Sequence, residues 1–376
     1  MGKRWVYMLA APMLVAGSLS TANSAAGWTM DTVEGGSGDG PVAASGRLLT
    51  QEGKPAHGIA LRLEAWPSSD TLQRLKPGES VQTVPVGKVV TKRDGTFSLR
   101  VANVAALSRM KNRSGVVDLS IVGEGEGAQY NFSFPLEADG LIRGKVGSGK
   151  PGLDLRPVGQ LSKDQSARAE ATAPPMEKAC TYRLLEQLAP RTVIVGSSYV
   201  QTSGVTADFQ FSTGASSALG VAVKSPGSVS YKASGESSVS SSSTIDFPSV
   251  GANRKRIHRT KFVYGRYRVD CGSILGPSTQ IRPMRLAGGD YSYTPTNTLA
   301  STKCVSYSGG THTNERSAAI TWTNGVDISS LISIDLSSRT GYSTAAKAKY
   351  TFSASRKLCG THDYPGGTPR TLFAKS

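Results

Sequence analysis

Short runs of alternating apolar and polar residues recur along most of this chain, and turn residues bound nearly all of them. Alternation with a period of two places successive side chains on opposite faces of a strand. In the first part the pattern predicts strands at 43–50, 58–66, 86–91, 96–101, 116–122 and 130–136. Gln51 to Pro55 and Lys92 to Gly95 read as turns, and Asp94-Gly95 between alternating runs is the strongest hairpin signal there. Residues 144–178 carry no apolar period and are rich in Gly, Pro, Lys, Ala and Gln, so they read as a linker. Beyond it, strands are expected at 192–199, 206–211, 219–223, 229–233, 239–247, 261–270, 318–322, 332–336 and 346–353. Ala179, Tyr182, Leu185 and Leu188 allow a short helix stopped at Pro190, with a strand as the alternative. The fold class expected is all-β.

Within the first part, Ser45-Gly46-Arg47-Leu48, Glu52 to Leu61 and Val90 to Leu99 follow one another as strand, turn and strand. This order resembles the carboxypeptidase regulatory-like, or transthyretin-like, β-sandwich family over about residues 43–136. The stretch 67–85 departs from it as a long insertion between the second and third strands. Domains of that family are mostly accessory, so the resemblance implies a spacer or scaffold and carries no site residues. The expected organisation is a leader at 1–26, a flexible lead-in at 27–42, a transthyretin-like sandwich at 43–143, a linker at 144–178 and a second β-domain at 179–376.

The leader changes the compartment. Lys3 and Arg4 precede the apolar run Val6 to Ala16, and small residues Ala22 to Ala26 follow. That is the three-part pattern of a secretory signal peptide, cut near Ala25 or Ala26. The expectation is a secreted, extracellular, soluble protein. Its four cysteines, Cys180, Cys271, Cys304 and Cys359, all lie in the second half. An even count in an exported chain predicts two disulfides, with three connectivities open. Their spacing fits no zinc module, and no cofactor or metal is expected.

Charge is uneven. Residues 176–376 hold 23 Lys and Arg against 11 Asp and Glu, out of a net +16 for the chain. A basic exported domain suits an anionic cell-wall polymer, a glycan or a lipid surface, and equally a merely soluble surface. Nucleic acid is not expected, because no recognition module accompanies the charge. The densest cations are Arg254, Lys255, Arg256, Arg259 and Lys261, leading into Arg266 and Arg268. As a strand, this run puts Phe262, Tyr264, Arg266 and Arg268 on one face, and Arg with Tyr can hold a phosphate or stack on flat groups. Arg282 and Arg285 are expected in a following loop. An edge strand charged against aggregation would read the same way.

The segment 219–247 offers a second function. Leu219, Val221 and Val223 alternate with small residues, Val229 and Tyr231 alternate with Ser228, Ser230 and Lys232, and a Ser-rich run follows. One apolar and one hydroxylated face suit a transmembrane hairpin, similar in kind to the insertion hairpins of aerolysin-like pore-forming proteins, which would oligomerise on a membrane. They equally suit a hairpin on a soluble sandwich. Catalysis finds little support. His57, His258, His312 and His362 stand in no Gly-x-Ser-x-Gly, His-Glu-x-x-His or phosphate-loop context. His258 sits among cations that oppose its protonation. Asn112-Arg-Ser114 and Asn131-Phe-Ser133 are glycosylation sequons. The leading expectation is a non-enzymatic binder of an anionic surface, then a pore-forming-like protein, then a hydrolase with an unrecognised site.

Overall fold

The computed structural model describes residues 40–125, 127–143, 149–160, 179–212, 217–239, 244–273, 276–294, 303–314, 327–328, 346–360 and 372–376. The leader, most of the lead-in, the strands expected at 318–322 and 332–336, and His362 lie outside them. In chain order the first part comprises β1 (Val42–Leu48), β2 (Ala60–Ala65), α1 (Ser69–Leu72), β3 (Ser80–Gln82), β4 (Val84–Val90), β5 (Thr96–Arg100), α2 (Val104–Arg109), β6 (Val116–Gly125), β7 (Ala128–Glu137), α3 (Ala138–Ile142), β8 (Lys150–Leu155) and β9 (Gly159–Gln160). The second comprises β10 (Thr181–Gln187), β11 (Arg191–Val200), β12 (Val205–Ser212), β13 (Ser217–Lys224), β14 (Tyr231–Val239), β15 (Thr244–Val250), β16 (Arg254–Asp270), β17 (Ser278–Tyr293), β18 (Lys303–Tyr307), β19 (Gly310–Asn314), β20 (Asp327–Ile328), β21 (Ala346–Phe352), β22 (Arg356–Gly360) and β23 (Leu372–Lys375). The chain is all-β, and the strands expected within the described residues are present with shifted ends, while the one expected at 239–247 falls on the end of β14 and the start of β15, with 240–243 outside the described residues. Residues 179–188 take the strand alternative as β10, because β16 hydrogen-bonds along them.

In the first half, β5-β1-β8 packs across an apolar core from β4-β2-β6-β7. Leu48, Phe97 and Leu99 meet Leu63, Leu119 and Phe134 there. The Asp94-Gly95 turn is present, with Gly95 at φ +74°. It joins no hairpin, however: β4 pairs with β2 and β5 pairs with β1, so the turn arches from one sheet to the other. Residues 150–155, within the stretch expected to be linker, form β8, parallel to β1.

In the second half, the sheet β15-β12-β21-β19 covers one face of β11-β16-β17-β13. Phe209, Phe211, Phe262, Tyr264, Ile281 and Tyr350 fill the space between. The cysteines pair as Cys180–Cys271 and Cys304–Cys359. The first bond sits in a third core with Trp66, Tyr182, Tyr267 and Met284, and the second ties β18 to β22.

The halves meet along one continuous sheet, in which β14 lies beside β7. Gly235 makes this approach feasible: its φ is +102°, and a Cβ there would fall on the Ser133 carbonyl. The insertion at 67–85 forms a second seam. Its β3 pairs with β10, and its Leu72 and Leu75 enter the core around the Cys180–Cys271 bond. Gly38–Ser376 forms one compact unit.

Candidate functional site

Two clusters of side chains stand out, one buried and one open. The buried cluster occupies the seam. On β6 and β7, alternation sends Leu119, Ile121, Phe132 and Phe134 into the first core and turns Asp118, Ser120, Asn131 and Ser133 the other way. Water does not meet that polar face. Ser234, Ser237 and Ser238 of β14, with Gln280 and Arg282 of β17, cover it, and all are buried.

Arg282 is 0% exposed. It donates to Ser133 Oγ at 2.9 Å and to Ser237 Oγ at 3.1 Å. Its guanidinium carbon lies 3.6 Å from the Trp66 ring centroid, a desolvated cation–π contact. Ser237 Oγ in turn donates to Asp118 Oδ2, and the Ser238 N–H donates to Oδ1, both at 2.7 Å. Trp66 Nε1 donates to Ser120 Oγ at 2.7 Å, and Ser120 and Ser133 share a 2.7 Å bond. Burial pushes the Asp118 carboxyl above its usual range, while Arg282 pulls it down. This network joins the two halves, and its members are all buried.

The structure corrects two expectations. Arg282 and Arg285 are on β17, a 16-residue strand, and not in a loop. Of the hydroxylated residues in 219–247, Ser234, Ser237 and Ser238 are buried against β6 and β7. The pairing of β13 with β14 shifts register between Gly220 and Ala222, where β14 carries one extra residue, and Leu219 and Ala222 both enter the same core. Leu219, Val221 and Val223 are buried, Val229 is 95% exposed on the turn before β14, and Tyr231 is half-buried. The five therefore share no single surface. Of the sequons, Asn131 accepts from Gln280 in the seam, and Asn112 is also buried.

The open cluster belongs to β16. Phe262, Tyr264, Arg266 and Arg268 do lie on one face, but the covering sheet buries the two aromatic rings in the core. They are not available to a ligand, and only the arginine end of that face reaches solvent. There Arg266 forms an ion pair with Glu186 at 3.2 Å and hydrogen-bonds the Tyr231 hydroxyl. Burial lifts the Tyr231 phenol above its ordinary value, so it stays neutral. Strand register brings more cations to the same face. Arg183 of β10 stands opposite Arg268, Arg268 opposite Thr279, and Thr279 opposite Lys224. Arg183 and Arg268 are exposed. Leu185, Lys224, Tyr231, Arg266 and Thr279 line a solvent-open groove of about 390 Å³. Sequence reading placed Leu185 only in a possible helix and did not single out Arg183, Lys224 or Thr279, because only register across four strands assembles this site.

Arg254, Lys255, Arg256, Arg259 and Lys261 gather at the other end of the strand. Arg254 and Lys261 are exposed, Arg256 reaches the Thr294 hydroxyl, and Arg259 donates to Tyr291 at 3.2 Å. Within this end of the strand, between Arg256 and Arg259, His258 is buried, stacked on Phe209 with centroids 4.6 Å apart. Its ring nitrogens lie 2.8 Å from Ser292 Oγ and 2.9 Å from Ser198 Oγ. Burial first, and Arg256 second, drive its pKa down to about 3. It is a neutral wedge with no free nitrogen for acid–base work. His312 bonds Tyr307 on β18 at 3.1 Å, and burial lowers its pKa. Among the described residues no group of three or more His, Cys, Asp or Glu could hold a metal. Among them, too, no helix is long and apolar enough to cross a membrane.

No protein-family model matches the chain, and no curated protein matches it. Solved structures give faint likenesses. A mutant of the shaft pilin SpaA from Lactobacillus rhamnosus GG is 9% identical, with a TM-score of 0.20 over 58% of this chain and 87% of that one. A double mutant of the same pilin is 8% identical, with a TM-score of 0.21 over 60% and 87%. A putative pore-forming toxin from Bacteroides vulgatus ATCC 8482 is 10% identical, with a TM-score of 0.12 over 68% and 89%. Likeness at this level establishes neither a common fold nor a common role.

Proposed function

We propose that this is an exported, non-enzymatic protein whose second half binds an anionic cell-surface polymer, with the first half a transthyretin-like sandwich that supports it. One observation carries the reading: β16 presents cations at both ends of a single strand. Arg254 and Arg268 stand about 45 Å apart at ~3.3 Å per residue, with buried Phe262 and Tyr264 between them. A small ligand cannot engage both ends, whereas a long polyanion spans them and gains avidity from doing so. The two disulfides fit an oxidising, extracellular setting. The membrane alternative requires β13 and β14 to leave a seam in which Asp118 and Arg282 would lose their Ser237 partner.

The test is co-sedimentation of the mature protein with insoluble anionic and neutral cell-wall polymers, and with dye-loaded anionic and neutral liposomes, at rising salt. Salt-sensitive pelleting with anionic polymer, weakened by the triple change Arg254→Ser, Lys255→Ser and Arg256→Ser, is the expected result. Dye release from liposomes would instead favour membrane insertion. Pelleting with no surface would end the binding reading.

A further inference from the structure

We propose that the groove beside Arg266 takes the carboxylated ring of an acidic saccharide, a hexuronic acid unit within a glycan chain. The proposal rests on the polymer-binding reading and assigns its specificity to one place. Three kinds of group converge there. Arg266 supplies a guanidinium, whose planar fork of five donors matches a carboxylate in two parallel bonds. Glu186 and Tyr231 fix its orientation while engaging only part of that donor set.

Tyr231 and Leu185 supply apolar surface. Leu185 is 40% exposed, one of few large hydrophobic side chains so exposed among the described residues. A bulge in β10 between Leu184 and Glu186 turns it outward beside the ion pair. An aromatic face next to an exposed aliphatic wall suits the C–H face of a pyranose ring, with the Tyr231 hydroxyl, the Thr279 hydroxyl and Ser228 at its rim for ring hydroxyls. The groove's volume lies at the small end of ligand sites, fitting one or two rings.

Charge extends the site along a chain. Arg183, Arg268 and Lys224 lie across the same face. The nearby acids are committed: Glu186 holds Arg266, and Asp270 accepts from the Gly272 N–H at the strand's end. Lys224 Nζ lies 5.8 Å from the Tyr231 centroid, on a stem flexible enough to follow a bound carboxylate. A phosphodiester polymer would use the cations but leave Tyr231 and Leu185 without a partner.

The test measures binding of the full mature protein to polygalacturonate, to a poly(glycerol phosphate) of similar length and to a neutral glucan, at fixed salt. Polygalacturonate is expected to bind most tightly, and Arg266→Lys to weaken it about tenfold by removing the fork while keeping the charge. Leu185→Ser, at an exposed site, should weaken it too without changing thermal stability. Arg254→Ser should lower affinity for both polyanions alike. Equal binding of the two polyanions, or unchanged affinity in both groove variants, would overturn the saccharide assignment and leave polyanion binding standing. Binding of neither polyanion would remove both readings.

Discussion

Arg282 and Asp118, on strands from opposite halves of the chain, face one another through a single shared hydroxyl, that of Ser237. The guanidinium donates to that oxygen and the oxygen donates to the carboxylate, so two buried charges are coupled without touching. Burial of an ion is costly unless partners replace water, and removing one partner strands the other. Arg282→Met should therefore destabilise the protein by about 3–5 kcal/mol, and Ser237→Ala by about 1–3 kcal/mol. Urea denaturation of Arg282→Met, Asp118→Asn and the double variant checks this. The double variant should cost clearly less than the two single costs combined. Strict additivity would mean that the two residues are not coupled.

His258 predicts an acid limb. Its folded pKa, about 3, lies below the ordinary value of 6.5. Above pH 6.5 neither the folded nor the unfolded chain holds a proton there. As pH falls below 6.5 the unfolded chain takes one that the folded chain refuses, so stability drops by about 1.4 kcal/mol per pH unit until the folded pKa is reached. His258→Gln should remove this component. The comparison is the slope of unfolding free energy against pH between 6.5 and 4 for the two proteins. Identical slopes would mean that His258 titrates normally in the fold.

Gly235 predicts a steric failure at the seam. Alanine there would combine a disfavoured φ of +102° with a Cβ against the Ser133 carbonyl. A loss of at least about 1–3 kcal/mol is expected. Hydrogen exchange of the β7 and β14 amides should rise more than that of β12 and β21.

The disulfides predict a peptide map. Non-reducing digestion should yield Cys180 linked to Cys271 and Cys304 linked to Cys359. Replacing Cys180 and Cys271 together by Ala should cost about 2–5 kcal/mol, since that bond lies in the core shared by both halves.

Much of the strand framework was legible because alternation at 43–50, 116–122 and 206–211 survives in the structure as one buried and one unlike face. What misled was the meaning of the unlike face. Asp118, Ser120, Asn131 and Ser133 alternate with apolar residues just as a solvated face would, yet β14 and β17 cover them. Local pattern cannot tell water from a distant polar strand. β17 escaped notice for the same reason: Gln280 and Arg282 look like loop chemistry until Asn131, Ser237 and Asp118 appear opposite. Of the open site, Arg266 and Arg268 were readable from the basic run. Arg183 and Lys224 were not, since pairing across strands far apart in sequence places them there.

The shared sheet has a consequence for how this chain can be cut and recombined. A protein built of separable beads can donate one to another chain or lose one to a protease without harm to the rest. Here a piece ending at residue 160 would expose Asp118 and Trp66, and a piece beginning at 179 would expose Arg282 and the inner face of β14. Neither makes a transplantable module. The two pieces, supplied together, are each other's missing surface, so a nick between them should leave an assembled particle instead of releasing a fragment.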